Sequence, residues 1–284
     1  MPKRSKQKRI LITGAAGSIG SELVRQLALG GHKIYCLDTN ETGLFDLIEE
    51  LKLKDQWVEG RLCDIRDEKI IGDVFSDFKP QYVYHAAALK HVSPAEVTPL
   101  EYIKTNSIGT YNLIEASKRW ECVEKFVYIS TDKVIHSKSI MGMTKKLGET
   151  MVQNAGKGFV AVRFGNVLGS RGSVIPIWQG QIERGEPLTV TDKRMTRYFM
   201  TIPQAVELVI EAAQKGKGKE IFILDMGNQV NIYDLALQIL QKSGKEDLGV
   251  KFIGIRPGET LDEKLMTVEE EARAVKEGKF YVIR

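Results

Sequence analysis

Metal-ligand spacing is missing from this sequence. Its three cysteines, Cys36, Cys63 and Cys122, and its four histidines, His32, His85, His91 and His136, are scattered. None falls at the close intervals a zinc site uses, so no structural or catalytic metal is expected. An odd cysteine count, with Cys36 and Cys63 inside apolar runs, reads as buried thiols in a reducing cytoplasm. No apolar run approaches the ~18 residues of a membrane span, so a cytoplasmic chain without a span is expected. The leading MPKRSKQKR has no apolar stretch behind its charges, which excludes a secretory signal.

A clustered basic face is missing as well. The formal net charge is +4, but Lys3, Arg4, Lys6, Lys8 and Arg9 all stand at the start. Without those five charges the chain is one unit negative. Residues 1–9 therefore read as a flexible basic tail, and no nucleic-acid partner is expected. No internal repeat, low-complexity tract or long linker divides the 284 residues, a length that suits one large domain or two smaller ones.

What is present is an alternation of short apolar runs with helical periodicity. Ile10-Leu11-Ile12 leads into TGAAGSIG; Ile19, Leu23 and Leu27 then recur at helical spacing, and Ile34 to Leu37 closes on Asp38. This strand–turn–helix–strand unit is the context that a dinucleotide fingerprint requires. Gly14 allows the tight turn, Gly17 lets backbone approach a pyrophosphate, and Gly20 lets the helix pack close. Ala16, Ser18 and Ile19 complete the phosphate turn, whose helix N-terminus offers N–H groups and a positive dipole end. Asp38 is placed for the adenosine ribose hydroxyls and would repel a 2′-phosphate, which favours NAD over NADP.

The alternation continues through runs at 57–62, 82–85, 126–129 and 159–164, with helices expected at 67–75, 99–120 and 140–154. Asp64, beside Ile65, suits either the adenine amino group or the cap of the next helix. Ala86, Ala87 and Ala88 are small enough for a cofactor to lie against. The expected fold is α/β, a Rossmann-type doubly wound parallel sheet. Residues 10–165 form the NAD-binding domain, with 196–224 rejoining it. Residues 166–195 and 225–284 form a smaller α/β substrate lobe, with an acidic helix at its end.

Polar chemistry concentrates after the run ending at Ile129, in Ser130-Thr131-Asp132-Lys133 and then Met141 and Lys145. Ligands sit at the carboxyl ends of the strands in such sheets, so these residues are candidates for catalysis.

Together, TGAAGSIG, HAAALKHV, KTNSIGT, STDK, RFGNVLGSRGSVIP, MTRYFMTIPQAVELV, LDMG and RPGE resemble the extended short-chain dehydrogenase/reductases. Within them the chain is similar to the UDP-N-acetylglucosamine 4,6-dehydratases of glycan biosynthesis, and spans only their catalytic part. The resemblance implies oxidation of the sugar C4 hydroxyl, loss of water across C5 and C6, and hydride return to C6 of a UDP-4-keto-6-deoxy sugar, with C5 configuration retained. It implies that Lys145 holds the nicotinamide ribose and that Lys90 and Asn106 border the cofactor. It places Lys90, His91, Asn166, Arg171, Ser173, Val174, Thr189, Arg197, Arg256 and Glu259 at the UDP-sugar. By analogy, the helices at 99–120 and 140–154 pair subunits in a homodimer or higher oligomer.

Two departures stand out. The usual Tyr-x-x-x-Lys is here Met141-Gly142-Met143-Thr144-Lys145, as in a Met-bearing subgroup of the family. Methionine cannot take a proton, so Asp132 is the first candidate for the C4 step, with Thr131 polarising the hydroxyl. Lys133 is favoured as the C5 base and Asp132 as the acid for the departing hydroxyl. The stretch HVSPAEVTPLE, with Glu96, also differs from the family's hydrophobic and acidic pattern. Two alternatives stay open: a UDP-sugar 4-epimerase, and a catalytically silent nucleotide-sugar-binding protein.

Overall fold

The computed structural model describes residues 7–54, 56–135 and 137–284. Lys3, Arg4 and Lys6 of the expected tail, and His136, lie outside them. The last tail positions are part of the fold. Lys8 pairs with Glu124 at 2.6 Å, and Arg9 begins the first strand and donates Nε to the carbonyl of Lys79. Their backbone is captured by strand pairing, which composition alone does not reveal.

The apolar runs form β1 (Arg9–Thr13), β2 (Lys33–Asp38), β3 (Val58–Leu62), β4 (Tyr82–His85), β5 (Lys125–Ile129) and β6 (Phe159–Arg163). Between them run α1 (Ser18–Leu29), α2 (Glu41–Lys52), α3 (Glu68–Phe78), α4 (Val92–Val97), α5 (Pro99–Tyr102), α6 (Thr110–Arg119) and α7 (Ile140–Asn154). The remainder supplies β7 (Asn166–Val167), α8 (Val174–Glu183), β8 (Leu188–Val190), β9 (Thr196–Arg197), β10 (Phe199–Met200), α9 (Ile202–Lys215) and β11 (Ile221–Leu224). It ends with β12 (Val230–Asn231), α10 (Ile232–Ser243), β13 (Val250–Phe252), α11 (Val268–Glu271), β14 (Val275–Glu277) and β15 (Phe280–Ile283).

The main sheet has the order β14-β15-β11-β6-β5-β4-β1-β2-β3. It is parallel from β3 to β11, as expected of a doubly wound sheet, and antiparallel at β15 and β14. Strand side chains alternate between its faces. Ile10 and Ile12 pack with Leu23, Leu44 and Val209 on one side, whereas Leu11 packs with Phe75, Leu113 and Val152 on the other. Each such buried side chain stabilises the fold by roughly 1.5–3 kcal/mol. The chain order reverses between β1 and β4, and the crevice at their carboxyl ends is where an open sheet holds ligands. A separate small core of Trp178, Leu188, Val190, Met195, Ile232 and Leu240 builds the lobe.

Five expectations change. The helix expected at 99–120 is α5 and α6 joined by a π-helical segment, Ile103–Gly109. Helix α8 occupies a stretch of the expected lobe for which the sequence suggests no particular element, because the glycines before it and Pro176 in its first turn mask the start; proline is tolerated there, where N–H groups have no intrahelical partner. The C-terminal acidic helix is a single turn, since Val275 to Ile283 carries the alternation of an antiparallel hairpin. Residues 275–283, assigned to the lobe, accordingly pair within the main sheet beside β11. Asp64 does not cap α3; Asp67 does, accepting from the Ile70 N–H at 3.0 Å.

Candidate active site

The glycine turn is built by contact as much as by φ. Gly14 has φ +68, and a Cβ there would meet the Ala87 nitrogen at 2.6 Å. A Cβ on Gly20 would meet the Gly14 carbonyl oxygen at 1.9 Å, so α1 can sit on the turn only with glycine. The Gly17 N–H bonds the Gly14 carbonyl at 2.9 Å. Asp38 accepts from the N–H groups of Ala16 (2.8 Å) and Asn40 (2.9 Å), which locks the turn to the end of β2. A carboxylate has about four lone-pair positions, so capacity remains for a ribose hydroxyl. Ile19 packs against the sheet core.

Other expected cofactor contacts have different work. Asp64 is bound by the Arg66 side chain at 2.6 Å. Burial pushes its carboxyl up, but the bonds from Arg66 outweigh this and hold it low. Ile65 is buried against Gly109 of the π segment. Ala86, Ala87 and Ala88 are half-buried, with the Ala86 N–H on the Thr13 carbonyl at 3.1 Å. Asn106 is buried; its amide accepts from the Leu89 N–H (2.8 Å) and donates to the Leu89 carbonyl (2.9 Å) and Thr144 Oγ1 (3.1 Å). It clamps the loop after β4, which leaves its amide little capacity for a ligand.

Beneath this loop, His85 lies between Thr13 Oγ1 (2.7 Å) and Thr110 Oγ1 (2.8 Å). Thr110 gives its hydroxyl proton to the Asn106 carbonyl, so it accepts from His85 Nε2–H, and Nδ1 accepts from Thr13. Complete burial, with Lys145 nearby, keeps this imidazole well below its ordinary range and neutral.

The polar turn after β5 forms one bonded cluster. Thr131 Oγ1 donates to Asp132 Oδ1 at 2.9 Å and accepts from the Lys133 N–H at 3.3 Å. Lys133 Nζ reaches Asp132 Oδ1 (3.1 Å), Asn166 Oδ1 (3.3 Å) and Glu263 (3.1 Å). Burial lowers the proton affinity of Lys133, but Asp132 and then Glu263 more than offset it, so the ammonium is held charged. Asp132 is 2% exposed, and its Oδ2 has no hydrogen-bond partner among the described residues. A Cβ on Gly165 would lie 2.9 Å from that oxygen.

Lys145 and Met141, one turn apart on α7, face different surroundings. Lys145 Nζ donates to the Ile129 carbonyl at 2.5 Å and lies 4.1 Å from the Tyr128 ring centroid. Burial pushes it down to about 7, against the pull of Glu149. Met141, 2% exposed, packs with Ala95 and Tyr102. Gly142 lets α7 begin against the Lys133 carbonyl, which a Cβ would meet at 2.3 Å. Glu96 accepts from the Ile140 N–H at 2.8 Å and so caps α7.

On the lobe side, the Arg171 N–H donates to Ser18 Oγ (3.1 Å) and its guanidinium to the Ala16 carbonyl (2.5 Å), so this arginine is docked on the glycine turn. Lys90 Nζ is 3.4 Å from Ser170 Oγ; burial, then Lys133 and Arg171, lower its proton affinity. His91 faces Gly172 and is lowered by burial and by Lys90. Ser173 Oγ is buried without a partner among the described residues, and Val174 joins the lobe core. Thr189 is bonded to Gln181. Arg256 is exposed and 4.0 Å from Glu259, on a turn whose Gly258 packs against Val92.

Arg197, expected at a diphosphate, is buried with its guanidinium on the carbonyls of Thr196, Thr260 and Leu261 and on Glu263 at 3.2 Å. The sequence reading does not single out Glu263, which completes the Lys133 cluster, nor the buried network behind Lys145. There Arg163 binds Glu149 at 2.7 Å and Glu270 at 2.7 Å, and Ser130 donates to Glu149. These partners are more than 100 residues apart in part, and nothing in local spacing links them.

A parallel sheet reversing at β1 and β4, the glycine turn with Asp38, and a polar turn after β5 beside Lys145 define an extended short-chain dehydrogenase/reductase. The chain belongs to the family described as polysaccharide biosynthesis protein, whose sequence model matches residues 10–284. It is 48% identical over 274 residues to the capsular polysaccharide biosynthesis protein CapD of Staphylococcus aureus, covering 93% of this chain and 46% of that protein. It is 34% identical to the UDP-glucose 4-epimerase of Rickettsia rickettsii, covering 94% of this chain and 80% of that enzyme. The chain thus spans about half the length of CapD. Among solved structures it resembles Pen from Bacillus thuringiensis, with TM-score 0.92, 35% identity and coverage of 98% and 88%. It also resembles a Thermus thermophilus UDP-glucose 4-epimerase in complex with NAD, with TM-score 0.80, 26% identity and coverage of 93% and 92%.

Proposed function

We propose that the chain is an NAD-dependent 4,6-dehydratase acting on UDP-N-acetylglucosamine or a related UDP-sugar. The observation that carries this reading is the Thr131–Asp132–Lys133 cluster with Met141 turned into the core. An epimerase of this superfamily needs a proton acceptor at position 141, whereas elimination needs a carboxylate and an ammonium side by side. The residues fit NAD. The helix N-terminus closes onto the phosphate turn because Gly14 and Gly20 carry no Cβ to strike the backbone beside them, and Asp38 retains acceptor capacity.

Held at the glycine turn and Asp38, NAD would supply a hydride acceptor for C4 and a hydride donor for C6. The chain's own groups move the protons. Thr131 orients the C4 hydroxyl, and the Asp132 carboxylate bonded to Thr131 takes the proton. The charged state of Lys133 supports a revision of its sequence-based role. An ammonium held by two carboxylates suits donation to the departing C6 hydroxyl. Asp132, once it has released the C4 proton to solvent, takes the C5 proton and returns it to C5 as hydride reaches C6, and Lys133 regains its proton from solvent. The lobe, with Arg256 exposed and Glu259 half-buried at its turn, is the proposed seat of the UDP, and 166–195 with 225–274 its proposed extent. Exposed Leu100, Ile103, Ile108, Tyr111, Met143 and Leu147 support association of two copies through the 99–120 and 140–154 helices.

Incubation of the purified protein with UDP-N-acetylglucosamine tests the reading. Loss of one water with appearance of a C6 methyl in the NMR spectrum is expected. An isomer of unchanged mass would establish the second reading, a 4-epimerase, which the 34% identity to an enzyme of that name favours. Absence of turnover with every UDP-hexose would overturn both.

A further inference from the structure

Glu263 has no neighbour in sequence that marks it for chemistry, yet it ends in the polar cluster after β5. The lobe delivers it there. Arg197 holds the carbonyls of Thr260 and Leu261 and pairs through Nε with the Glu263 carboxylate at 3.2 Å. The Thr196 N–H bonds the Leu261 carbonyl at 2.9 Å, and Gln229 donates to the Glu263 carbonyl at 2.6 Å. The backbone around Glu263 is therefore fixed on both sides. Its carboxylate, 7% exposed, points at Lys133 Nζ from 3.1 Å, across 130 residues of chain.

We infer that Glu263 is a positioning residue for the reaction: it holds the Lys133 ammonium against Asp132, and its ionisation sets the pH response of the site. The inference rests on the dehydratase reading for its kinetic part only. Lys133 has a long, rotatable stem, and with Glu263 removed its Nζ keeps only Asp132 and Asn166 among the described residues. The charged groups facing the Glu263 carboxylate are Lys133, Arg197 and Asp132; Lys90 is the next cation beyond Lys133. Burial, with Asp132 adding to it, pulls the Glu263 carboxyl up to about 7 against the pull of Lys133 and Arg197. Below neutrality the carboxyl gains a proton and its grip on the ammonium weakens; above it the grip is complete.

The test uses the Glu263→Gln variant, with Glu263→Asp as the variant that keeps the charge. Three results are expected. In the Gln variant kcat falls by about 10- to 100-fold with KM nearly unchanged, as for a misplaced catalytic group. The acidic limb of the wild-type pH–rate profile, near neutral pH, disappears in the Gln variant and persists in the Asp variant. Trace acetylation of the unliganded protein, mapped by mass spectrometry, labels Lys133 about tenfold faster in the Gln variant, because loss of one facing carboxylate lowers its proton affinity. Unchanged Lys133 labelling would overturn the inference, as would a wild-type pH profile and kcat in the Gln variant. If the wild-type protein turns over no UDP-hexose, the dehydratase reading fails, and the labelling still decides the placement of Glu263. If the Gln variant does not fold, slower turnover of the Asp variant with its acidic limb intact supports the inference, and wild-type kinetics in that variant would overturn it.

Discussion

Lys145 points its ammonium at the Ile129 carbonyl from 2.5 Å, within the end of the sheet rather than out into the crevice. It is 6% exposed, and burial has brought it down to about 7. The unfolded chain holds that proton up to about 10.5, so between these values the unfolded state binds more protons and stability from this group rises with pH. Lys145→Met should therefore stabilise the protein most at pH below 7, and its advantage should shrink by about 3 kcal/mol by pH ~9.5. Urea midpoints of both proteins across that window measure this. An advantage that does not change with pH would show that Lys145 is solvated.

Asp132→Asn and Lys133→Ala should each lower turnover by about 10²–10⁴-fold, the range for losing a general acid or base. NAD affinity, measured by calorimetry, should survive both, since neither side chain belongs to the glycine turn. Full activity in either variant removes that residue from the mechanism.

Met141→Ala should cost stability rather than catalysis. The side chain fills a small cluster with Ala95 and Tyr102, beside Val92 and Ile140, and truncation of a buried methionine costs about 2–5 kcal/mol. The melting temperature should fall while kcat stays within a few-fold of wild type at a temperature where both are folded. A collapse of kcat without loss of stability would place Met141 in the chemistry.

Arg163→Met should destabilise by about 3–5 kcal/mol, because it leaves Glu149 and Glu270 buried without their shared cation. Arg163 is fully buried and bonded to both. Lys146 still reaches Glu149 at 2.9 Å, so replacing Glu149 by Gln together with Arg163 should recover part of the loss. Denaturant unfolding of the single and double variants gives the coupling directly.

Where the fold was legible, it was legible through period and spacing. The parallel strands, α1, α7 and the glycine turn all announce themselves within windows of a dozen residues. What escaped has a common cause. Helix α8 hides behind glycines, and the C-terminal hairpin reads as part of the lobe until its partner β11 is known. Of the site, Thr131, Asp132 and Lys133 are neighbours in the chain and were found together. Glu263, Arg163 and Glu270 join them only through tertiary contact, and a lone acid or arginine in sequence resembles a solvated one. Asn106 and Arg197 show the converse. They stand in segments that resemble the family's, yet their polar atoms are spent on backbone of this chain.

The π-helical turn at Ile103–Gly109 bears on anyone who redesigns this protein. Each residue of an ordinary helix advances about 100°, and a wide turn of this kind holds one residue more than an ordinary turn. An engineer who regularised the helix by deleting that residue would obtain a better helix by every local measure. The deletion would also swing Asn106 about a quarter-turn away from Leu89 and release the loop that separates Ala86 from Lys90. In this helix the irregularity is the specification, and an optimiser that scores helices one at a time would erase it.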